Sequence, residues 1–202
     1  MTGVPAEPAT ARGRATKRAL LDAAEVVFGR DGYEKASISE ITRTAGVAQG
    51  TFYVHFADKN AIFVELFHEL SHLLREVLAK AAADQPDRVT AERHGLEVFF
   101  EFIEQHPAIY RILRESEFVD ESLHRWHYER LAEGYRRTLR TAQDAGEIAA
   151  DTDPEVLAYA LMGIAHFVGI RWMVWEGEPP PPGWFGHVAG VVGRAMGARE
   201  ET

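Results

Sequence analysis

Residues 68–72 read His-Glu-Leu-Ser-His, the H-E-x-x-H pattern in which two histidines one helical turn apart can bind zinc while the glutamate activates water. Orientation decides whether that chemistry is open to this chain. On a helical wheel centred on Leu70, at about 100° per residue, Phe63, Leu66, Phe67, Leu73, Leu74 and Val77 fall within about 60° of the centre. His68 and His72 fall about 160° away on either side, with Glu65 and Arg75, on the solvated back of an amphipathic helix. A catalytic zinc also needs a third protein ligand and a walled site. Ala79, Ala82 and Ala83 stand where the longer zinc-protease motif has Gly and His, and Glu92 or Glu97 would meet the pair only by a coincidence of folding. The expectation is no metal, no cofactor and no catalysis.

The frame around this helix is that of an ordinary globular chain. It has 202 residues, 46% hydrophobic and 26% charged, enough to bury about 70% of its unfolded surface as one large domain or two small ones. It has no cysteine, which rules out disulfides and cysteine–zinc sites and fits a cytoplasmic location. Residues 1–18 lack the apolar core of a secretory signal, and the longest apolar run, Val156 to Ile170, is too short to span a membrane. The net charge of −9 is unevenly spread: residues 1–60 hold 8 Lys+Arg and 7 Asp+Glu, the remainder 14 and 24. A local basic surface for nucleic acid is therefore compatible with an acidic whole.

Every long segment has helical period. Leu20, Ala23, Ala24, Val27 and Phe28 recur at three- and four-residue steps up to Gly32. Ser37 and Glu40 form a capping box ahead of Ile38, Ile41 and Ala45, and Gly46 ends that helix. A short helix follows with Phe52 and Phe56 as an i, i+4 core pair. Asp58 caps a long helix to about Ala83. Further helices are expected at about Thr90 to Gln105, after Pro107 to about Glu115, from Glu121 to Ala145, from Pro154 to about Trp175, and from Trp184 to Met196. Pro179 to Pro182 form a stiff extended connection. The class is all-α.

The first three helices fit a helix-turn-helix unit with Ala45-Gly46-Val47 as the turn. If Phe52 and Phe56 face the core, Gly50 and Val54 lie opposite, flanked by Thr51 and Tyr53, and Gln49 projects from the N-terminal end. A Gln amide can bond adenine bidentately in the major groove, and Gly50 lets the backbone come close. Thr51, Tyr53, His55 and Lys59 can donate to phosphates. Ser37, Ser39, Arg43 and Thr44 complete the candidate DNA-binding set. Arg12, Arg14, Lys17 and Arg18 add a basic arm.

That constellation resembles the tetracycline-repressor (TetR) family of bacterial transcription regulators, over roughly Thr16 to Leu66. The most specific stretch, AGVAQGTFYVHFADK, is similar to the family's G-V-s-x-G-t-(L/F)-Y-x-(H/Y)-F-x-x-K at Gly46, Val47, Gly50, Thr51, Phe52, Tyr53, His55, Phe56 and Lys59. Ala48 departs from it where relatives often carry a capping Ser, and Val54 stands where many are polar. The resemblance implies a flexible basic arm (1–14), a DNA-binding domain (15–58) and an all-helical effector-binding and dimerisation domain (59–202). It implies a homodimeric repressor on a palindromic operator in double-stranded DNA, modulated by a small apolar or aromatic ligand. Leu157, Leu161, Ile164 and Val168 form one stripe of the penultimate helix. Gly186, Gly190, Gly193 and Gly197 give the last one the small-residue spacing a partner could pack against. Phe102, Tyr110, Trp126, Tyr159, Met162 and His166 are the candidate ligand-binding residues. Phe99, Phe167 and Trp172 add aromatic surface and Arg111 and His127 add polar groups. The aromatics could equally be plain core.

Overall fold

The computed structural model describes residues 10–176 and 181–197, and all regular structure among them is helical. In chain order these residues form α1 (Ala11–Lys35), α2 (Ile38–Ala45), α3 (Gln49–His55), α4 (Lys59–Ala83), α5 (Arg88–Gln105), α6 (Ile109–Val119), α7 (Glu121–Asp144), α8 (Pro154–Gly169) and α9 (Trp184–Ala195). A π-helical segment, Ile170–Glu176, continues α8. The all-α class expected from periodicity is the class observed. Pro179 and Pro180, half of the expected extended connection, lie outside the described residues.

Helix ends follow side-chain caps. Ser37 accepts from the Glu40 N–H at 3.1 Å, Asp87 from the Thr90 N–H at 2.8 Å, and Asp153 from the Glu155 N–H at 2.7 Å with Pro154 directly behind it. The return half of the Ser37–Glu40 capping box is not made, because the Glu40 carboxylate is held by Arg30 and Arg43. α1 also starts earlier than expected. Thr10 accepts from the Gly13 N–H at 3.1 Å, so residues 11–14, assigned to a flexible arm, are helix. Gly32, at φ 80°, breaks α1 as expected, but the chain makes another turn through Lys35.

Two compact units emerge. One is built from residues through Ser71 with Ala108–His124, the other from His72–Pro107 with Arg125 onward. A boundary after residue 58 misses the first unit's use of α6. Gly29 allows that use: a Cβ there would lie 2.5 Å from the Ala108 Cβ. Arg111 then donates to the carbonyls of Arg30 at 2.7 Å and Gly29 at 3.3 Å, and Glu115 accepts the Tyr33 N–H at 2.5 Å. α6 thus ties off the C-terminal carbonyls and a late N–H of α1, where the Gly32 break leaves them unpaired.

The first unit's core takes Leu20, Leu21, Ala24, Val27 and Phe28 from α1, with Ile41, Phe52, Phe56, Ile62, Phe63 and Leu66, each no more than 1% exposed. Phe28 and Phe63 meet edge to face at 5.2 Å, and Tyr33 closes the cluster at 5.0 Å from Phe63. Leu73, placed on the apolar stripe of α4 by the wheel, is instead 39% exposed. The second unit's core joins Leu96 and Phe100 of α5, Leu139 and Ala142 of α7, Leu157, Ala158, Leu161 and Ala165 of α8, and Val192 and Met196 of α9, with Ile164 and Val168 packed on its edge. Trp184 lies 4.8 Å from Phe100.

A left-handed residue at position 32 excludes a Cβ for conformational reasons and because Arg111 and Glu115 fill the space. Gly32→Ala is expected to destabilise the chain by about 1–2 kcal/mol in urea unfolding. Gly50→Ala, inside α3 with nothing within 4 Å of an added Cβ, is expected to leave the midpoint equal or higher.

Candidate nucleic-acid interface

α2 ends at Gly46, whose left-handed conformation (φ 68°) lets its N–H and that of Val47 return to the α2 carbonyls, the latter to Thr42 at 3.0 Å. α3 starts three residues later without a side-chain cap, as the Ala at position 48 requires. Its orientation comes from two rings. Phe52 is 0% and Phe56 1% exposed, with their centroids 5.6 Å apart. Two of the three positions between them turn outward: Tyr53 is 55% and Val54 71% exposed, and Gln49 and Gly50 are exposed beside them. Thr51 is half-buried. From α2, Ser39, Arg43 and Thr44 are exposed. The surface therefore combines an amide, a phenol, hydroxyls, a methyl-bearing Val and a bare backbone, a set suited to the edges and phosphates of a duplex groove.

Two expected contacts need correction. His55 is buried, 8% exposed, because the last turn of α3 brings it under the helix beside Lys17. Burial, and then the Lys17 charge, lower its pKa, so at neutral pH it is no phosphate-binding cation. Lys59 turns back onto the end of α1, where its ammonium donates to the carbonyls of Tyr33 at 2.6 Å, Ala36 at 3.1 Å and Glu34 at 3.3 Å, with the Tyr33 ring 4.4 Å away. Three acceptors use its three protons. Ser37 is exposed and accepts the α2 cap bond with its oxygen, which leaves its O–H as a donor.

Arg43 reaches the surface already paired. Its guanidinium donates to both Glu40 oxygens, at 2.6 and 3.0 Å, and Arg30 of α1 reaches the same carboxylate at 2.8 Å. No local pattern announces Arg30, ten residues from its partner. Of the basic arm, Lys17 pairs with Glu65, and Arg18 with Asp22 and Glu69, while Arg12 and Arg14 have no acidic partner among the described residues. The Arg18 pair also accounts for the zinc-like pattern: Glu69 takes the guanidinium at 2.6 Å, and His72 stands exposed with Nδ1 4.0 Å from Glu76. Among the described residues no group of three or more His, Asp or Glu could hold a metal.

None of the six ligand candidates lines the cavity found in the second unit. Phe102 is buried against His106 at 4.6 Å, Met162 is buried and Tyr159 is 44% exposed. His166 lies 6.2 Å from Tyr128, Tyr110 is buried in the first unit, and Trp126 lies under the Arg75 guanidinium at 5.0 Å. A cavity of about 390 Å³ does exist in the second unit, among α4, α5 and α7, but Arg75, Arg88, Glu92, Arg130 and Tyr135 line it. In the sequence Arg75 falls on the solvated back of α4, Glu92 enters only as a coincidental zinc ligand, and Arg88, Arg130 and Tyr135 are not singled out. The signal was Arg88 and Glu92, an i, i+4 pair on the inward side of α5, both buried.

Comparison with known proteins places the geometry. Residues 20–66 match the family described as bacterial regulatory proteins, tetR family. The chain is similar to the uncharacterized HTH-type transcriptional regulator YvdT of Bacillus subtilis, 33% identical over 108 residues, or 53% of this chain and 55% of that protein. It is 31% identical over 173 residues to the A-factor receptor protein of Streptomyces griseus, covering 80% of this chain and 55% of that one. The chain thus spans about half the length of these curated relatives. In fold it is similar to the transcriptional regulator FadR from Bacillus subtilis in complex with stearoyl-CoA (TM-score 0.77, 17% identity, 91% of this chain and 99% of that chain).

Two measurements check the site's electrostatics. Lys59→Met is expected to lower stability by about 1–3 kcal/mol in urea unfolding, since buried carbonyls lose a charged donor. The hydrogen bonds from Arg43 and then Arg30 depress the Glu40 carboxyl to about 2. A depressed pKa stabilises above the ordinary carboxylate range and is lost as pH falls through the folded value. The Glu40 ¹³C carboxyl resonance is therefore expected to stay ionised at pH 4 and to titrate near 2. A midpoint near 4.5 would mean Arg43 is unpaired in solution.

Proposed function

We propose that the chain, whose residues 20–66 match the tetR family of bacterial regulatory proteins, is a DNA-binding transcription regulator, a homodimer that represses from a palindromic operator and responds to a small effector. One observation carries the reading: Phe52 and Phe56 are buried while Gln49, Gly50, Tyr53 and Val54 form an exposed row on α3. In this reading Gln49 reads an adenine edge, Val54 packs on a thymine methyl, and Tyr53, Thr51 and the α2 hydroxyls fix the register on phosphates. Arg43 joins them by exchanging Glu40 for a phosphate.

Dimerisation follows from the need for two reading helices about 34–36 Å apart, one DNA turn. Val156, Tyr159, Phe167, Trp175 and Val191 are exposed apolar groups on α8, the π-helical segment and α9, and offer a second copy an apolar face. Effector response is supported by two similar proteins, the A-factor receptor and the FadR that binds stearoyl-CoA. α4 is one continuous helix whose residues are shared between the two units, and it is the lever in this reading. A cytoplasmic location suits the reading, and among the described residues no helix is long and apolar enough to cross a membrane.

Selection of bound duplexes from a random pool tests it. A two-fold symmetric site is expected to be enriched, with Tyr53→Phe weakening all sequences alike and Gln49→Ala changing preference at particular bases by about 1–3 kcal/mol. Absence of any enriched symmetric site, or Gln49→Ala binding with unchanged preference, would overturn it.

A further inference from the structure

Arg43 reaches the exposed face of α2 with one edge of its guanidinium occupied. Glu40 takes it side-on, from Nε at 3.0 Å and from Nη2 at 2.6 Å. A guanidinium carries five N–H groups in one plane, so three remain: both of Nη1 and the second of Nη2. Among the described residues these three have no acceptor. The side chain is 71% exposed and stands three residues ahead of the Gly46 turn, which leads to Gln49 and the row on α3.

Glu40 is itself held. From α1, Arg30 donates Nη2 to its Oε1 at 2.8 Å, and Asp31 holds Arg30 through Nε at 2.8 Å and Nη2 at 2.6 Å. The Glu40 side chain is only 24% exposed. Asp31, Arg30, Glu40 and Arg43 therefore form a chain of alternating sign with no net charge.

For a duplex this separates charge from direction. A phosphate is attracted by net charge, and the chain of four offers none until Arg43 leaves Glu40. The O6 and N7 of guanine are neutral acceptors that reward direction, and they fit the end-on pair of donors that Glu40 leaves open. Side-on support from a carboxylate anchored to α1 fixes the plane of that pair before a duplex arrives. Less side-chain entropy is then lost on contact.

We propose that Arg43 is a specificity-determining residue that reads one guanine in each half-site with Nη1 and Nη2 while it stays on Glu40, and that Glu40 and Arg30 are its positioning residues. The inference rests on the reading of this face as DNA-binding and refines one contact in it. Exchange of Glu40 for a phosphate then belongs to registers in which no guanine faces the arginine.

Selection from the random duplex pool, repeated on the full chain with Arg43→Gln and Glu40→Gln, tests it. Each protein is also titrated with the parent's enriched site, with that site carrying adenine for the guanine, and with an unrelated duplex. The parent is expected to enrich a guanine at one position of each half-site and to bind at least about fivefold more weakly on its replacement. Arg43→Gln is expected to abolish that preference and leave those at other positions. Glu40→Gln is expected to cut the guanine preference about threefold or more, while binding the unrelated duplex at least as tightly as the parent does. Unchanged base preference in Arg43→Gln overturns the proposal. So does a Glu40→Gln protein that binds all duplexes more tightly with the guanine preference intact, which is the signature of exchange onto phosphate alone. If the parent enriches no symmetric site, the regulator reading falls and this proposal with it. If its site is enriched and answers to Gln49→Ala but not to Arg43→Gln, only this proposal falls.

Discussion

Burial of Phe52 and Phe56 is the constraint on which the first unit depends. A helix of seven residues has too few internal hydrogen bonds to persist alone, so α3 exists because its rings are packed. Each ring contributes about 1.5–3 kcal/mol by leaving water. That same contact fixes the rotation of the helix about its axis. With both rings inward and four residues apart, Tyr53 and Val54 have no direction left but outward. Packing and presentation are one event here, and a substitution that loosens the rings would also misdirect the exposed row.

Charge in this unit serves mainly to hold helices to one another. Lys59 closes the carbonyl end of α1, Arg30 joins α1 to α2 through Glu40, and Arg111 with Glu115 binds α6 to the Gly32 break. These contacts collect around one end of α1, where a broken helix would otherwise expose unpaired backbone groups. The surface left for a partner is correspondingly rich in neutral donors.

What sequence could and could not disclose divides along range. The 3.6-residue period, the caps at Ser37 and Asp153 and the glycines at 32 and 46 are local signals, and they placed the helices and the exposed row of α3. The role of Lys59 was hidden because its acceptors lie 23 to 26 residues away and become a cluster only after α1 and α4 pack. His55 was misplaced for a similar reason: a residue next to a buried Phe at the end of a short helix faces whatever tertiary neighbour is there. The arginine-lined cavity was missed because a charge on a helix reads as solvated, and only three assembled helices show that Arg88 and Glu92 point inward. Aromatic residues drew attention away from it, although Phe102 and Met162 are simply buried.

The triad of Arg30, Glu40 and Arg43 carries a kinetic implication. A guanidinium that must let go of its own carboxylate before it can grip a phosphate gains little from meeting just any duplex. Under the proposed function, neutral groups such as the Gln49 amide lose nothing by comparison, since their reward would depend on a matching base. Under the proposed function, a head built this way would hold non-matching duplex only weakly, because its cation at the surface, Arg43, is already neutralised.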